Sequence, residues 1–163
     1  MTRRTLAGLC AALVASAAFW WWNSGSSDER QVRSLFYDFA EELNEGATGG
    51  FGTLAHVARL SEFFSPDVVI ELGPGSPPIQ GRETLLGMVS RLQPRTSAFV
   101  VEMDDVNVEF TTPDHGDVTF TAVIRRRSES GAESIDAREF GAEVVRDGAR
   151  WRVSRVVAID TLR

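Results

Sequence analysis

Lysine is absent from this chain, cysteine occurs once and histidine twice. Each shortage removes a class of chemistry. With Cys10 the sole thiol, and placed in the N-terminal segment, the folded part of the chain has neither a disulfide pair nor a thiolate set for a metal. His56 and His115 show no ligand spacing, and both are expected at the surface, His56 on a helix and His115 in the turn from Pro113 to Gly116. No Gly-x-Ser-x-Gly elbow occurs, so a serine triad has no support. The missing lysine leaves all 17 cationic side chains to arginine, a pattern that fits codon bias and carries no functional weight. Setting aside Arg3 and Arg4, which precede the domain, 15 arginines face 23 acidic residues, a balance of −8. Such a domain repels phosphate backbones, which excludes nucleic acid as an expected partner.

Charge is also missing from Leu6 to Trp22, a run of 17 residues whose one polar member is Ser16. Arg3 and Arg4 stand directly in front of it, as the n-region of an export signal does. At 1.5 Å rise per residue the run just reaches the shortest workable membrane span. Two fates compete. Cleavage after Ala17, behind the small-x-small triplet Ala15-Ser16-Ala17, releases a soluble periplasmic or secreted protein. Retention leaves a helix with Arg3 and Arg4 inside and Phe19, Trp20, Trp21 and Trp22 at the outer headgroup layer, where indoles are enriched. Retention is favoured, because cleavage would strand four adjacent aromatics on a frayed terminus. Cys10 is not expected as a lipidated cysteine, since Leu9 stands where a small residue is needed. The chain then reads as residues 1–22, a signal anchor or signal peptide, residues 23–27, a linker, and residues 28–163, one domain. The domain is expected on the periplasmic side of a bacterial inner membrane.

Ser26 and Glu29 form a capping box, and Val32, Leu35, Phe36, Phe39 and Leu43 recur at helical spacing on one stripe that ends before Gly46. A Gly-rich loop follows, and Thr53 caps a shorter helix carrying Leu54, Val57, Leu60, Phe63 and Phe64, stopped at Pro66. Asp67 to Leu72 reads as a strand. Gly81 to Leu92 reads as a third helix with Leu85, Met88, Val89 and Leu92 inward, closed by Pro94. The period then changes to two over Phe99–Thr112, Asp117–Arg127, Glu133–Arg146 and Arg150–Ile159, with a hairpin turn at Asp147-Gly148. An α+β domain with one curved antiparallel sheet and three helices on one face satisfies this order.

The stretch Phe63-Phe64-Ser65-Pro66-Asp67-Val68-Val69-Ile70-Glu71-Leu72, the proline loop, Ile79-Gln80-Gly81-Arg82-Glu83 and the closing hairpin around Asp147-Gly148-Ala149-Arg150-Trp151 together resemble the NTF2-like (SnoaL-like) superfamily. The resemblance spans about Asp28 to Asp160. It implies a cone, with a bent sheet wrapped on the first helix and a pocket at the open end, in a family that holds ketosteroid isomerases, cyclases, dehydratases, epoxide hydrolases and non-enzymatic binding modules. Counting from the matching motifs, the isomerase tyrosine, base and protonated aspartic acid fall on Phe39, Leu72 and Gly141, none of which moves a proton.

Other candidates are sparse. Glu71 would serve as a general base if it faced the pocket, but alternation with Ile70 and Leu72 turns it toward solvent. Tyr37 could supply a hydroxyl, yet it lies off the main helical stripe. Asp104 and Asp105 are adjacent in a strand, cannot jointly hold an ion, and mark a bulge. Arg125, Arg126 and Arg127 read as a solvated strand end. What remains is an apolar pocket from Phe36, Phe39, Phe63, Leu72, Met88 and Leu92, with no metal and no cofactor expected. The reading is a non-catalytic module for an apolar small molecule or a protein partner, with a homodimer through the open sheet face as one form. The alternative is a cofactor-free isomerase, cyclase or hydrolase using Glu71 or Tyr37. Retention of the leader predicts that protein extracted from membranes has the intact mass of the full chain; a mass beginning at Ala18 would show cleavage.

Overall fold

The two-residue alternation of the second half becomes four long strands, and the helical stripes of the first half lie across their inner face. The computed structural model describes residues 27–45, 54–73, 75–89, 99–127 and 131–159. Two compact units divide the chain, Met1–Gln31 and Val32–Arg163, and of the first only residues 27–31, which open the first helix, are described. In chain order the elements are α1 over residues 27–45, α2 (Leu54–Ser61), β1 (Phe64–Glu71), β2 (Ile79–Gln80), α3 (Arg82–Val89), β3 (Phe99–Thr112), β4 (His115–Arg127), β5 (Glu133–Asp147) and β6 (Arg150–Ala158). No described helix is long and apolar enough to cross a membrane, and the span expected over residues 6–22 lies outside the described residues.

The six strands form one sheet in the order β2-β1-β6-β5-β4-β3. Its pairing corrects one expectation: the sheet is mixed rather than purely antiparallel, because β1 runs parallel to β6. The reason is topological. After β1 the chain passes through α3 to the far edge and returns by three hairpins, so the last strand of the meander comes back beside β1 in the same direction. β1 also starts earlier than expected, at Phe64, and accommodates Pro66 where its register against β6 shifts between Phe64 and Val69.

Bulges bend the sheet and reset which residues face inward. In β3, Val101 and Met103 are buried; the register then slips between Asp104 and Asn107, with Asp105 at φ 53°, and Val106 becomes the next buried position. The carboxylate pair therefore sits at the extra residue, as the adjacent aspartates suggest. A second slip between Glu143 and Val144 lets Val153 and Val156 of β6 both lie on the inner face. At the β5–β6 hairpin Gly148 adopts φ 63°, a primed-turn conformation that suits the strand twist.

From Val32 onward α1 lies on this inner face. Val32, Phe36 and Ala40 are buried in one core with Val118, Phe120 and Val144, and the Phe36 ring lies tilted against that of Phe120 at 4.9 Å. Its C-terminal end is fastened to an edge of the sheet by Asn44, whose amide donates to the Val101 carbonyl (2.9 Å) and accepts from the Val101 N–H (2.7 Å). One side chain thus stands in for a neighbouring strand on β3, an edge that would otherwise be open to pairing with another chain. Removing it leaves both groups in a part-buried site. Asn44→Ala is expected to lower stability by about 1–3 kcal/mol and to speed amide exchange at Val101, measured by denaturation and hydrogen exchange.

Candidate functional site

Between α1 and the sheet the packing leaves a cavity of about 250 Å³. Its walls come from every layer: Leu35, Phe39 and Leu43 on α1, Phe63 and Ile70 beside and in β1, Leu85 and Leu86 on α3, and Ala122, Ile124, Phe140 and Val156 from the meander. Every described lining side chain is a hydrocarbon or the thioether Met103. Phe39 makes edge contacts with Phe63 at 5.4 Å and Phe64 at 5.3 Å, which holds three rings as a rigid wall.

Exposure rises in one direction along the strands. On β4, Phe120 is buried, Ala122 and Ile124 are half-buried and Arg126 is exposed; on β5, Ala142 is buried, Phe140 is half-buried and Arg138 is exposed. The mouth therefore lies at the C-terminal end of β4 and the N-terminal end of β5.

Phe36, Phe39 and Phe63 line the cavity. Leu72 and Met88 do not: they are 50% and 49% exposed. Leu72 continues the inward alternation of Val68 and Ile70 but falls one residue past the end of β1, where the sheet no longer covers it. In α3 the inward face is set by Arg82, Leu85 and Leu86, the first of which donates to the carbonyls of Ser61 and Phe64 at 3.3 Å. Met88 is rotated off that face. Leu92 lies outside the described residues.

The three counted isomerase positions remain without a proton-transfer group. Phe39 is a wall of the cavity. Gly141 points to the outer face with Glu143, and its inward neighbours on β5 are Phe140 and Ala142. The carboxylate and the phenol held as alternatives are elsewhere. Glu71 is on the outer face, where it accepts from Arg155 at 2.8 Å, and Glu143 stands 3.5 Å from the same guanidinium. The hydrogen bond Arg155 donates to Glu71, followed by the charge of that carboxylate, holds Arg155 above the ordinary arginine range. Tyr37 is 47% exposed and borders a shallow acidic groove with Glu41, Glu45, Glu102 and Asp104. Among the described residues no cluster of histidine, cysteine and carboxylate side chains is arranged to hold a metal.

His56 corrects the expectation of a surface residue, being 2% exposed. On α2 it lies one turn before Leu60, so docking of that face buries both. Its Nδ1 stands 2.6 Å from Glu42 Oε1 on α1, an oxygen that also accepts from Arg59 Nε at 2.7 Å. This pair joins α1 to α2 behind the cavity and does not line it. The signal missed in the sequence is the polar partner one helix away. Glu42→Ala should cost about 2–3 kcal/mol of stability by denaturant titration, because the buried imidazole loses a carboxylate acceptor.

The chain belongs to the SnoaL-like domain family, whose model matches residues 25–157. Among curated proteins nothing matches. Solved structures share the fold at low identity. A provisionally named scytalone dehydratase from Novosphingobium aromaticivorans is 14% identical with a TM-score of 0.68, covering 86% of this chain and 88% of that one. A provisionally named dehydratase of the NTF2-like family from Streptomyces avermitilis is 20% identical with a TM-score of 0.64, covering 85% and 99%. A hexachlorocyclohexane dehydrochlorinase from Novosphingobium barchaimii is 16% identical with a TM-score of 0.63, covering 85% and 90%. These likenesses establish an NTF2-like α+β fold and leave the chemistry to the residues.

Proposed function

We propose that the domain binds a small apolar molecule in the cavity beneath α1, without transforming it, and that the apolar segment at residues 6–22 tethers it to the outer face of a bacterial inner membrane. The observation that carries the binding reading is the lining itself, which among the described residues contains no ionisable or hydroxyl-bearing side chain. Acid–base catalysis requires a group within hydrogen-bond reach of the reacting proton. Glu71 and Tyr37 are both outside that reach, the first committed to Arg155 on the opposite face of the sheet. Binding, by contrast, needs only contact, and each apolar Å² removed from water gains about 25 cal/mol. The cavity, about 250 Å³, lies just below the usual span of ligand pockets, about 300–1,000 Å³, and suits one or two rings or a short alkyl chain.

The names of the structural relatives favour a second reading, a cofactor-free enzyme acting on an apolar substrate. In that reading the proton-transfer group comes from residues beyond the described lining.

Calorimetric titration of the full-length chain with phenylbutanol separates the possibilities that matter. One molecule is expected to bind per chain, and at about a hundred times its Kd to raise stability by about 2.7 kcal/mol. Ala122→Trp, which fills the hollow with an indole, should abolish binding while the fold survives. Absence of binding, or binding that ignores the tryptophan, contradicts the reading.

A further inference from the structure

The β4–β5 ladder runs without a register shift from His115↔Val145 to Arg127↔Glu133. Alternation along it is therefore unbroken, and residues sharing the cavity face can be followed outward past the last apolar wall. Phe120 pairs with Phe140, Ala122 with Arg138, Ile124 with Asp136 and Arg126 with Ser134. Phe120, Ala122, Ile124 and Phe140 line the cavity. Arg138 thus leaves the sheet directly opposite a lining residue, and Arg126 leaves it one step beyond Ile124, both on the cavity side. Directly opposed side chains in such a ladder are separated by about 5 Å at Cβ, within easy reach for an arginine.

The rim so formed has a sign. Two guanidiniums and the Ser134 hydroxyl face one carboxylate, Asp136, which stands 3.6 Å from Arg138 Nε. Arg125, the neighbour of Arg126, is turned to the other face and engaged by Glu102 at 3.1 Å, so alternation sorts the arginine run into different environments. The arrangement is a hydrocarbon-lined hollow with a cationic lip in a domain whose overall charge is negative.

We propose that the cavity takes an anionic amphiphile, a carboxylate or similar acid on a short apolar body, with the body in the hollow and the charged head held by Arg138 and Arg126 at the rim. The inference rests on the reading of the cavity as a binding site. Asp136 acts as the placeholder that the incoming head displaces from Arg138, which keeps the arginine in position when the site is empty. A guanidinium presents paired N–H donors to a carboxylate, and at an exposed rim this discriminates modestly rather than absolutely.

The test compares phenylbutyrate with phenylbutanol, matched in body and different in head, by titration of the full-length chain near neutral pH. Phenylbutyrate is expected to bind about tenfold more tightly, and added salt should narrow the gap. In the double variant Arg126→Gln, Arg138→Gln the advantage of phenylbutyrate over phenylbutanol should vanish. Equal or tighter binding of the alcohol to the wild type overturns the anionic head and leaves the apolar cavity standing. A preference that survives in the double variant overturns the assignment of these arginines. If neither compound binds, the cavity reading and this inference fall together.

Discussion

The structure depends on one geometric constraint, the two-residue period of β-strands, applied to a sheet that must cover a helix carrying large rings. Through the middle of the meander every second residue is apolar and faces the α1 side, and the phenylalanines of α1, β1 and the segment before it prop the layers apart. Where the side chains meet, they make the core around Val32, Phe36 and Val144. Where they do not, they leave the hollow bounded by Phe39, Ile70 and Phe140. Core and cavity are thus one surface, separated only by how far the sheet bends away. The bulges at Asp105 and beside Val144 supply that bend and reset the alternation, so that Val106 and Val156 rather than Asp105 and Arg155 lie on the inner face.

The same constraint explains why the outer face is chemically busier than the inner one. Glu71, Arg155 and Glu143 form a connected group across three strands there, and Glu102 pairs with Arg125 farther along. Exposed pairs of this kind add little to stability. Their consequence is sorting: these charged groups stand in solvent-facing pairs, while the described lining of the cavity is apolar.

Much of this was legible in the sequence. The stripe from Val32 to Leu43 defines the packed face of α1, and the alternation of Val118, Phe120, Ala122 and Ile124 defines that of β4, because each reflects a local period that the fold preserves. The outward placement of Glu71 follows from the same rule. What a local period does not contain is pairing partners and ends. Nothing in Asp67 to Leu72 says that β1 will run beside β6, or that cover stops before Leu72. The burial of His56 depends on Glu42, fourteen positions away on another helix, and the inward face of α3 depends on where Arg82 finds carbonyls to bind. The cationic lip was hidden for a related reason. Arg138 belongs to the cavity only because the register sets it opposite Ala122.

The binding proposal rests on a dry, preformed hollow under α1. Crystals of the full-length chain pressurised with xenon test it most directly, since an apolar void stays free of water and admits the gas. Xenon atoms bounded by Phe39, Ile70 and Phe140 are the predicted result. Ordered waters hydrogen-bonded in that space, or a carboxylate or phenol reaching into it, would contradict it.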